Sequence, residues 1–266
     1  MIEVCTVGGF GEVGKNMTAI KYQDEVVILD MGINLPKLID FEEEGGNRKD
    51  LTKESLIKMG AIPNDNVINH WKHNVKAILT THCHLDHIAA MPYLANQYNC
   101  PIIATPFTIE VIRSMFSDEN INLSNKLIAL NPGSSKQISK NFYVDFINVT
   151  HSTLQTVIIA LHTPDGIILY ANDFKLDNSP VLGNPPDYAA LNKLGKKHNV
   201  KMLIVDSLYA SKPYKTPSEK VAREMLKDVL LGTSNEDHAI IATTFASHLA
   251  RLKSIAWSPP LRCCLC

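Results

Sequence analysis

The chain has 266 residues, a formal net charge of −1 at pH 7 and an apolar content of 45%. This length suffices for one large domain, or for one domain and part of a second. The near-neutral charge argues against nucleic-acid binding through bulk positive charge, so that any such contact must come from a local patch.

Cysteine usage and hydropathy predict a cytoplasmic protein with no membrane partner. Cys5, Cys83 and Cys100 are scattered along the chain and are interpreted as free thiols of a reducing compartment. The N-terminus lacks the basic and apolar regions of a signal peptide. No apolar run approaches the ~18 residues of a membrane-spanning helix.

The first third of the chain predicts three short strands and a glycine-rich loop. The strands are expected at Ile2–Val7, Thr18–Lys21 and Val26–Asp30. The loop GGFGEVG between the first two has neither the lysine spacing of a phosphate loop nor a following helix. It therefore favours a tight turn that lets backbone approach a metal centre, with a nucleotide loop as the weaker alternative.

The middle of the chain alternates predicted helices and strands. A polar insertion is expected over 35–74, with a short helix capped by Asp50 or Thr52 inside it. That helix is expected at Leu51–Met59, and the further predicted elements are the strand Val75–Thr80, the helix Ile88–Tyr98, the strand Pro101–Ala104 and a helix from Pro106 to about Met115.

The second half repeats this pattern, which predicts two packed sheets between outer helices. The expected strands are Phe142–Val149, Thr156–His162, Ile167–Ala171, Met202–Asp206 (buried) and Ala239–Thr244 (buried). The expected helices are Asp187–His198, Ser218–Leu231 and Phe245 to about Ile255.

The segment THCHLDH at positions 81–87 places three imidazoles and a carboxylate between an apolar strand and a helix. Burying such groups unpaired would cost on the order of several kcal/mol, whereas they are normal ligands of zinc. His82 and His84 point the same way in extended backbone. Asp86 and His87 start the helix and can turn toward a second position. The segment therefore predicts ligands for two metal ions.

Other predicted strand ends offer the additional ligands that two ions need. His151 and Asp173 each follow a strand at the required place, and Asp173 is suited to bridge the two ions. Asp30 and Asp206 also follow apolar strands. Each is expected to orient a ligating histidine by a hydrogen bond, the alternative being a plain strand-terminating or helix-capping aspartate.

These motifs, in this order, resemble the metallo-β-lactamase superfamily. A closer resemblance is to the ribonuclease J family of the β-CASP group, and the segment ending GAIPND is similar to its archaeal branch. The resemblance runs from about Ile2 to about Ala256. It is carried by GGFGEVGKNMTAI, VVILDMG, THCHLDHIAAMPYL, THSTLQTVIIALHTPDGIILYANDFKLD and VDSLYA.

The resemblance implies an α/β fold, namely the αββα sandwich of metallo-β-lactamases followed by the start of a β-CASP domain. It also implies two zinc ions, with manganese as an alternative metal. The implied ligands are His82, His84 and His151 for one ion, and Asp86 and His87 for the other, with Asp173 bridging and Asp30 supporting the loop.

Three regions are expected along the chain. They are a metallo-β-lactamase domain over 1–208, the incomplete beginning of a β-CASP domain over 209–256 and an aberrant tail over 257–266. The segment ATTFASHLARLKSIA is similar to the entry into the β-CASP domain, with His248 where the family often has Asn. The family resemblance ends at Ala256, which predicts a truncated or frameshifted chain, or else a genuine short variant.

The resemblance implies hydrolysis of RNA phosphodiester bonds, as a 5′-to-3′ exonuclease, an endonuclease or both, in RNA processing and decay. Asp86 is expected to be catalytic, orienting or deprotonating the attacking water as well as binding metal. Homodimerisation of the full-length form is left open. Two alternatives also remain: a metallo-hydrolase of small thioesters or lactams, and an inactive truncated fragment.

Overall fold

The computed structural model describes residues 1–47, 50–197, 199–232 and 240–256. The strands in these ranges are β1 (Ile2–Gly8), β2 (Met17–Tyr22), β3 (Glu25–Leu29), β4 (Val75–Leu79), β5 (Ile102–Ala104), β6 (Leu127–Ala129), β7 (Ser135–Gln137), β8 (Tyr143–Asn148), β9 (Val157–Thr163), β10 (Gly166–Ala171) and β11 (Val200–Val205). The helices are α1 (Leu35–Glu43), α2 (Lys53–Met59), α3 (Leu85–Ile88), α4 (Met91–Leu94), α5 (Pro106–Asp118), α6 (Tyr188–Lys197), α7 (Glu219–Leu231) and α8 (Leu249–Ala256).

The strands form two mixed sheets. The first has six strands in the order β1-β2-β3-β4-β5-β6, and the second has five in the order β11-β10-β9-β8-β7. Strands β1 to β3 pair antiparallel and β3 to β6 pair parallel. In the second sheet β7 to β10 pair antiparallel, and β11 joins β10 in parallel.

Three apolar clusters show how the layers pack. The central cluster joins the inner faces of both sheets, for example Leu29 and Leu79 from the first and Phe146 and Ile159 from the second. A second cluster packs the outer face of the first sheet against helices, and a third packs the second sheet against Leu194 of α6. The result is the predicted αββα sandwich. Among the described residues, every helix is too short or too polar to cross a lipid bilayer.

The residues that follow β3 and β4 lie at an edge of the first sheet that is also bonded to the second sheet. These parallel strands pair Leu29 with Leu79, so the residues that follow each strand emerge side by side. The Asp30 amide donates to the Leu79 carbonyl at 2.8 Å, and the Val157 amide of β9 donates to the Thr81 carbonyl at 3.0 Å. The polar segment after β4 is therefore fixed between the two sheets.

Capping residues explain where the helices begin and end. Thr52 caps α2 by accepting from the Ser55 amide, and Gly60 ends the helix in left-handed backbone at φ 76°. Of the two predicted caps, Thr52 is therefore the one used, and the helix starts at Lys53. Pro106 opens α5 as predicted, although that helix continues to Asp118.

Two helix predictions in the first half were incomplete or wrong. The polar insertion contains α1, which the sequence analysis did not predict and which is capped by Asn34 and anchored by buried Leu38. The single helix predicted over 88–98 is broken into α3, α4 and a 3-10 turn. Pro92 accounts for the break, because it lacks the amide that a continuous helix would need there.

The predictions of two buried strands near the end of the chain were wrong. Strand β11 exists, but it is a sheet edge, with Leu203 56% and Val205 44% exposed. Residues 240–244 form no strand, and Ala239 lies outside the described residues. An apolar run indicates a strand but does not specify what covers it. Helices α7 and α8 follow, and the three domain boundaries stay predictions.

The apolar edge strand predicts self-association of this chain, because an uncovered edge is a template for pairing with another chain. We expect Leu203→Lys to lower the aggregated fraction in sedimentation velocity at high protein concentration without lowering the unfolding temperature. Val67→Lys, at a similarly exposed residue far from β11 in sequence, is the matched control. Equal aggregation of both variants and the wild type would refute this role of the edge.

Candidate metal centre

The six side chains predicted as metal ligands converge at this shared edge. They form two groups that have Asp173 in common, and within each group the potential ligand atoms lie within 4.8 Å of one another. The first group is His82, His84, His151 and Asp173, and the second is Asp86, His87 and Asp173. This grouping of side chains is the one that the family resemblance implied, while their binding of metal stays a prediction.

Asp173 lies between the two groups. Its Oδ2 atom is 3.8 Å from Nε2 of His82, 3.7 Å from Nε2 of His151 and 3.4 Å from Nε2 of His87. A carboxylate oxygen in this position is suited to bridge two cations. The bridging role itself stays a prediction.

The imidazoles of the first group point at one another. Nδ1 of His84 lies 3.0 Å from Nε2 of His82 and 3.1 Å from Nε2 of His151. Burial and the neighbouring imidazoles hold the pKa of His82 well below its ordinary value, and they lower the pKa of His151 to about 4. Neutral imidazoles whose nitrogens converge on one point are a donor set suited to a divalent cation.

Asp30 and Thr81 determine which ring nitrogens face the site. The Thr81 amide donates to Oδ1 of Asp30 at 2.8 Å, and the Thr81 hydroxyl donates to Oδ2 at 3.0 Å. Nδ1 of His87 lies 2.8 Å from Asp30, and Nδ1 of His82 lies 3.0 Å from the Thr81 hydroxyl. Because these Nδ1 atoms donate outward, the Nε2 atoms of both rings remain available as ligands.

The surroundings of His87 favour the protonated form of its ring. Burial opposes protonation of the ring, but the carboxylates of Asp30, Asp173 and Asp86 outweigh it and hold the pKa of His87 well above its ordinary value. The same ring in turn lowers the pKa values of Asp86 and Asp173, against the effect of burial. A divalent cation in the second group would replace this proton as the partner of the carboxylates.

Two further residues of this site were missed by the sequence analysis. The Asn16 side chain donates to the Asp86 carbonyl at 3.0 Å and faces the Asp86 carboxylate at 3.5 Å. Gly32 packs so closely that an added Cβ would lie 1.6 Å from the Asp86 carbonyl oxygen. The glycine-rich loop was the available signal, and it does approach the predicted centre, since the Asn16 amide also donates to Asp86.

Strained backbone marks two of the strand ends. Asp30 has φ 58° and Asp173 has φ 46°, values in the left-handed region that cost a non-glycine residue roughly 1–3 kcal/mol. Strain of this kind persists where the surroundings fix the conformation, typically at functional sites. Both carboxylates are therefore held in place by backbone as well as by side-chain contacts.

Asp206 belongs to neither group, although it lines a cleft that His151 and Asp173 also line. It follows β11, and its Oδ1 atom accepts a hydrogen bond from the Leu208 amide at 2.8 Å. Among the described residues no contact between Asp206 and a histidine of the site is observed. The orienting role of Asp206 therefore stays a prediction.

A cleft of about 860 Å³ opens beside the two groups. The residues that line it include His151, Asp173, Lys215 and Tyr209. His248, the weaker histidine candidate, also lines the cleft, and its Nδ1 atom accepts from the Arg251 amide at 3.2 Å. The cleft is large enough for a segment of a polymeric substrate.

The metal-free protein should lose stability as the pH falls below neutral. Unfolded His151 binds a proton near its ordinary pKa of 6.5, whereas in the folded protein its pKa is about 4. Protonation therefore favours the unfolded chain as the pH falls through this window. We expect His151→Asn to give a shallower decrease in the free energy of unfolding between pH 6.5 and 4, measured by urea denaturation in chelator. An unchanged slope would contradict the buried, neutral state of His151.

Comparison with known proteins supports the fold described above. The Beta-lactamase superfamily domain profile matches residues 64–182. Two solved structures share the fold: a protein of unknown function from Enterococcus faecalis (TM-score 0.66, 19% identity, 96% of this chain and 63% of that chain) and unliganded yeast PDE1 (TM-score 0.55, 14% identity, 96% and 93%). The chain therefore has the metallo-β-lactamase fold, and a divalent metal is implied by that superfamily.

Curated relatives with higher sequence identity indicate one group of proteins with this fold. The chain is 46% identical to ribonuclease J of Methanocaldococcus jannaschii and 44% identical to that of Pyrococcus abyssi, in both cases over 96% of its length. It is 31% identical to ribonuclease J of Thermus thermophilus over 97%. The chain is thus similar to ribonuclease J over nearly its whole length. It spans 56% of the length of each of the first two relatives.

Proposed function

We propose that this chain binds two zinc ions and hydrolyses phosphodiester bonds in RNA. The convergence of six potential ligands into two groups that share Asp173 is the observation that carries the proposal. The ribonuclease J relatives favour RNA over the thioester and lactam substrates of the alternative hypothesis. Lys215 lines the cleft and offers a positive charge to an RNA phosphate, although four carboxylates line the cleft as well, namely Asp173, Asp177, Asp206 and Glu219.

Each of the two groups of residues would hold one metal ion. His82, His84 and His151 would hold one ion, and Asp86 and His87 the other, with Asp173 between them. Bound divalent metal ions would supply Lewis-acid activation of water and stabilise charge on the phosphoryl oxygens. Asp86 is held ionised by His87, and its backbone is fixed by Asn16, so its carboxylate is placed to orient the attacking water or to accept its proton.

A reducing compartment agrees with the state of the cysteines, and we propose a cytoplasmic location. Cys5, Cys83 and Cys100 are free thiols in the structure. Dimerisation of a longer form stays a prediction.

An RNA digestion assay tests the proposal. We expect the zinc-loaded chain to cleave a 5′-monophosphorylated single-stranded RNA and to lose this activity in chelator. Zinc and manganese are compared as the restoring metal, and the product lengths distinguish exonuclease from endonuclease cleavage. Cleavage of a thioester or lactam without cleavage of RNA would favour the small-substrate alternative, and inactivity on all of them would favour the inactive fragment.

A further inference from the structure

A cluster of four charged residues, two of them buried carboxylates, lies next to the first metal-ligand group and is not explained by the proposed chemistry. It consists of Lys175, Asp177, Glu219 and Arg251, and we refer to it as the charge network. The two carboxylates are 5% and 7% exposed, respectively. Arg251 Nε lies 2.7 Å from Glu219, and Lys175 Nζ lies 3.8 Å from Asp177 and 3.9 Å from Glu219. Buried charges of this kind are costly unless they are paired, as they are here.

Asp177 connects the network to the start of α7. Its Oδ2 atom accepts from the Glu219 amide at 2.7 Å, and its Oδ1 atom accepts from the Ser218 hydroxyl at 2.6 Å and the Ser179 amide at 2.9 Å. An ionised carboxylate at a helix N-terminus is favoured by the free amides there. One side chain from the loop after β10 thus fixes the position of α7.

The same loop is tied to the backbone beside His151. The Lys175 amide donates to the Thr150 carbonyl at 2.8 Å, and the Thr150 hydroxyl donates to the Lys175 carbonyl. The Asp177 amide in turn donates to the Thr150 hydroxyl at 3.1 Å. Since Thr150 precedes His151 and Lys175 lies two residues after Asp173, these bonds set the distance between two potential ligands.

Arg251 extends the network to α8, whose N-terminus lies against the same ligand group. The Ala250 amide donates to the Ser152 carbonyl at 3.4 Å. The Ser247 backbone is hydrogen-bonded to the ring of His84. Helix α8 therefore contacts the backbone next to His151, and the turn before it contacts His84. Glu219 holds that helix through Arg251.

We infer that Asp177 and Glu219 are positioning residues, which hold the loop after β10 and the helices α7 and α8 so that His84, His151 and Asp173 keep the geometry of a metal site. This inference rests on the proposed function only in taking these residues as metal ligands. Neither carboxylate touches the site itself. Asp177 acts through loop backbone that is bonded to Thr150, and Glu219 acts through Arg251 and helix α8.

Cobalt and zinc binding test the inference without relying on catalysis. The variants are Asp177→Asn and Glu219→Gln, which keep the shape and remove the charge, and Arg251→Lys, which keeps the charge and removes the fork of donors. Glu224→Gln is the matched control, since Glu224 lies on the exposed side of the same helix in a pair with Lys227. Circular dichroism first selects the variants that are folded at the assay temperature.

We expect the network variants to weaken binding of one zinc ion by about 10–100-fold in competition with a chelating dye, the range found for residues that orient metal ligands. They should also shift the visible absorption bands of the cobalt-substituted protein, whereas Glu224→Gln should change neither readout. Wild-type zinc affinity and cobalt spectra in the folded Asp177→Asn and Glu219→Gln variants would overturn the inference. Cobalt binding by a wild-type chain that fails to cleave RNA would contradict the proposed function and leave the inference standing.

Discussion

Alanine in place of Asp173 is expected to abolish RNA cleavage. The Oδ2 atom of Asp173 lies 3.4–3.8 Å from ring nitrogens of three histidines, so its loss removes the one group common to both sets of ligands. His84→Ala should have a comparable effect on the first set. We expect the cleavage rate of either variant to fall to that of the chelator-treated wild type, measured with a 5′-monophosphorylated RNA.

A carboxylate far from the cleft provides the control for this loss. Asp40→Ala, on the exposed side of α1, should keep wild-type activity and metal content. Chelator-resistant cleavage at the wild-type rate in Asp173→Ala or His84→Ala would contradict the two-metal account.

Gly32→Ala should disrupt the site and destabilise the fold. The added methyl group would lie 1.6 Å from the Asp86 carbonyl oxygen and 2.5 Å from the His87 amide nitrogen, both of which are backbone atoms. Either the start of α3 or the segment after β3 must shift. We expect this shift to lower the free energy of unfolding by about 3 kcal/mol. Urea denaturation measures this cost, and zinc titration measures the accompanying loss of affinity.

Gly195→Ala gives the matched comparison. Gly195 lies in α6, and an added Cβ there meets no atom within 4 Å. Because alanine is the better helix former, this substitution should stabilise the protein by about 0.5–1 kcal/mol. Equal stability of the two variants would show that the close approach of Gly32 to Asp86 does not constrain the site.

The site was more predictable from the sequence than its supporting contacts. His82, His84, Asp86 and His87 lie within one short segment, so their spacing alone indicated two groups of ligands. The contacts of Asn16 depend on how the glycine-rich loop folds over α3, and those of Gly32 depend on how the segment after β3 packs there. No local pattern specifies this packing, because Asn16 and Asp86, for example, are 70 residues apart in the sequence.

The fold was predictable where periodicity and turn residues agree. The strands β9 and β10 and their turn at Pro164-Asp165-Gly166 follow from apolar runs broken by turn residues. Strand β11 was placed but wrongly expected to be buried, because an apolar sequence does not reveal that a strand lies at a sheet edge. Helix α1 was missed because its single buried side chain, Leu38, gives almost no periodic signal.

Anomalous diffraction from zinc-loaded crystals, combined with metal analysis, tests the central claim most directly. The account predicts two zinc ions per chain, about 3.5–4 Å apart, with Asp173 between them. One ion should be bound by His82, His84 and His151, and the other by Asp86 and His87. A chain that binds fewer than two ions, or in which His151 or Asp173 makes no contact with metal, would contradict it.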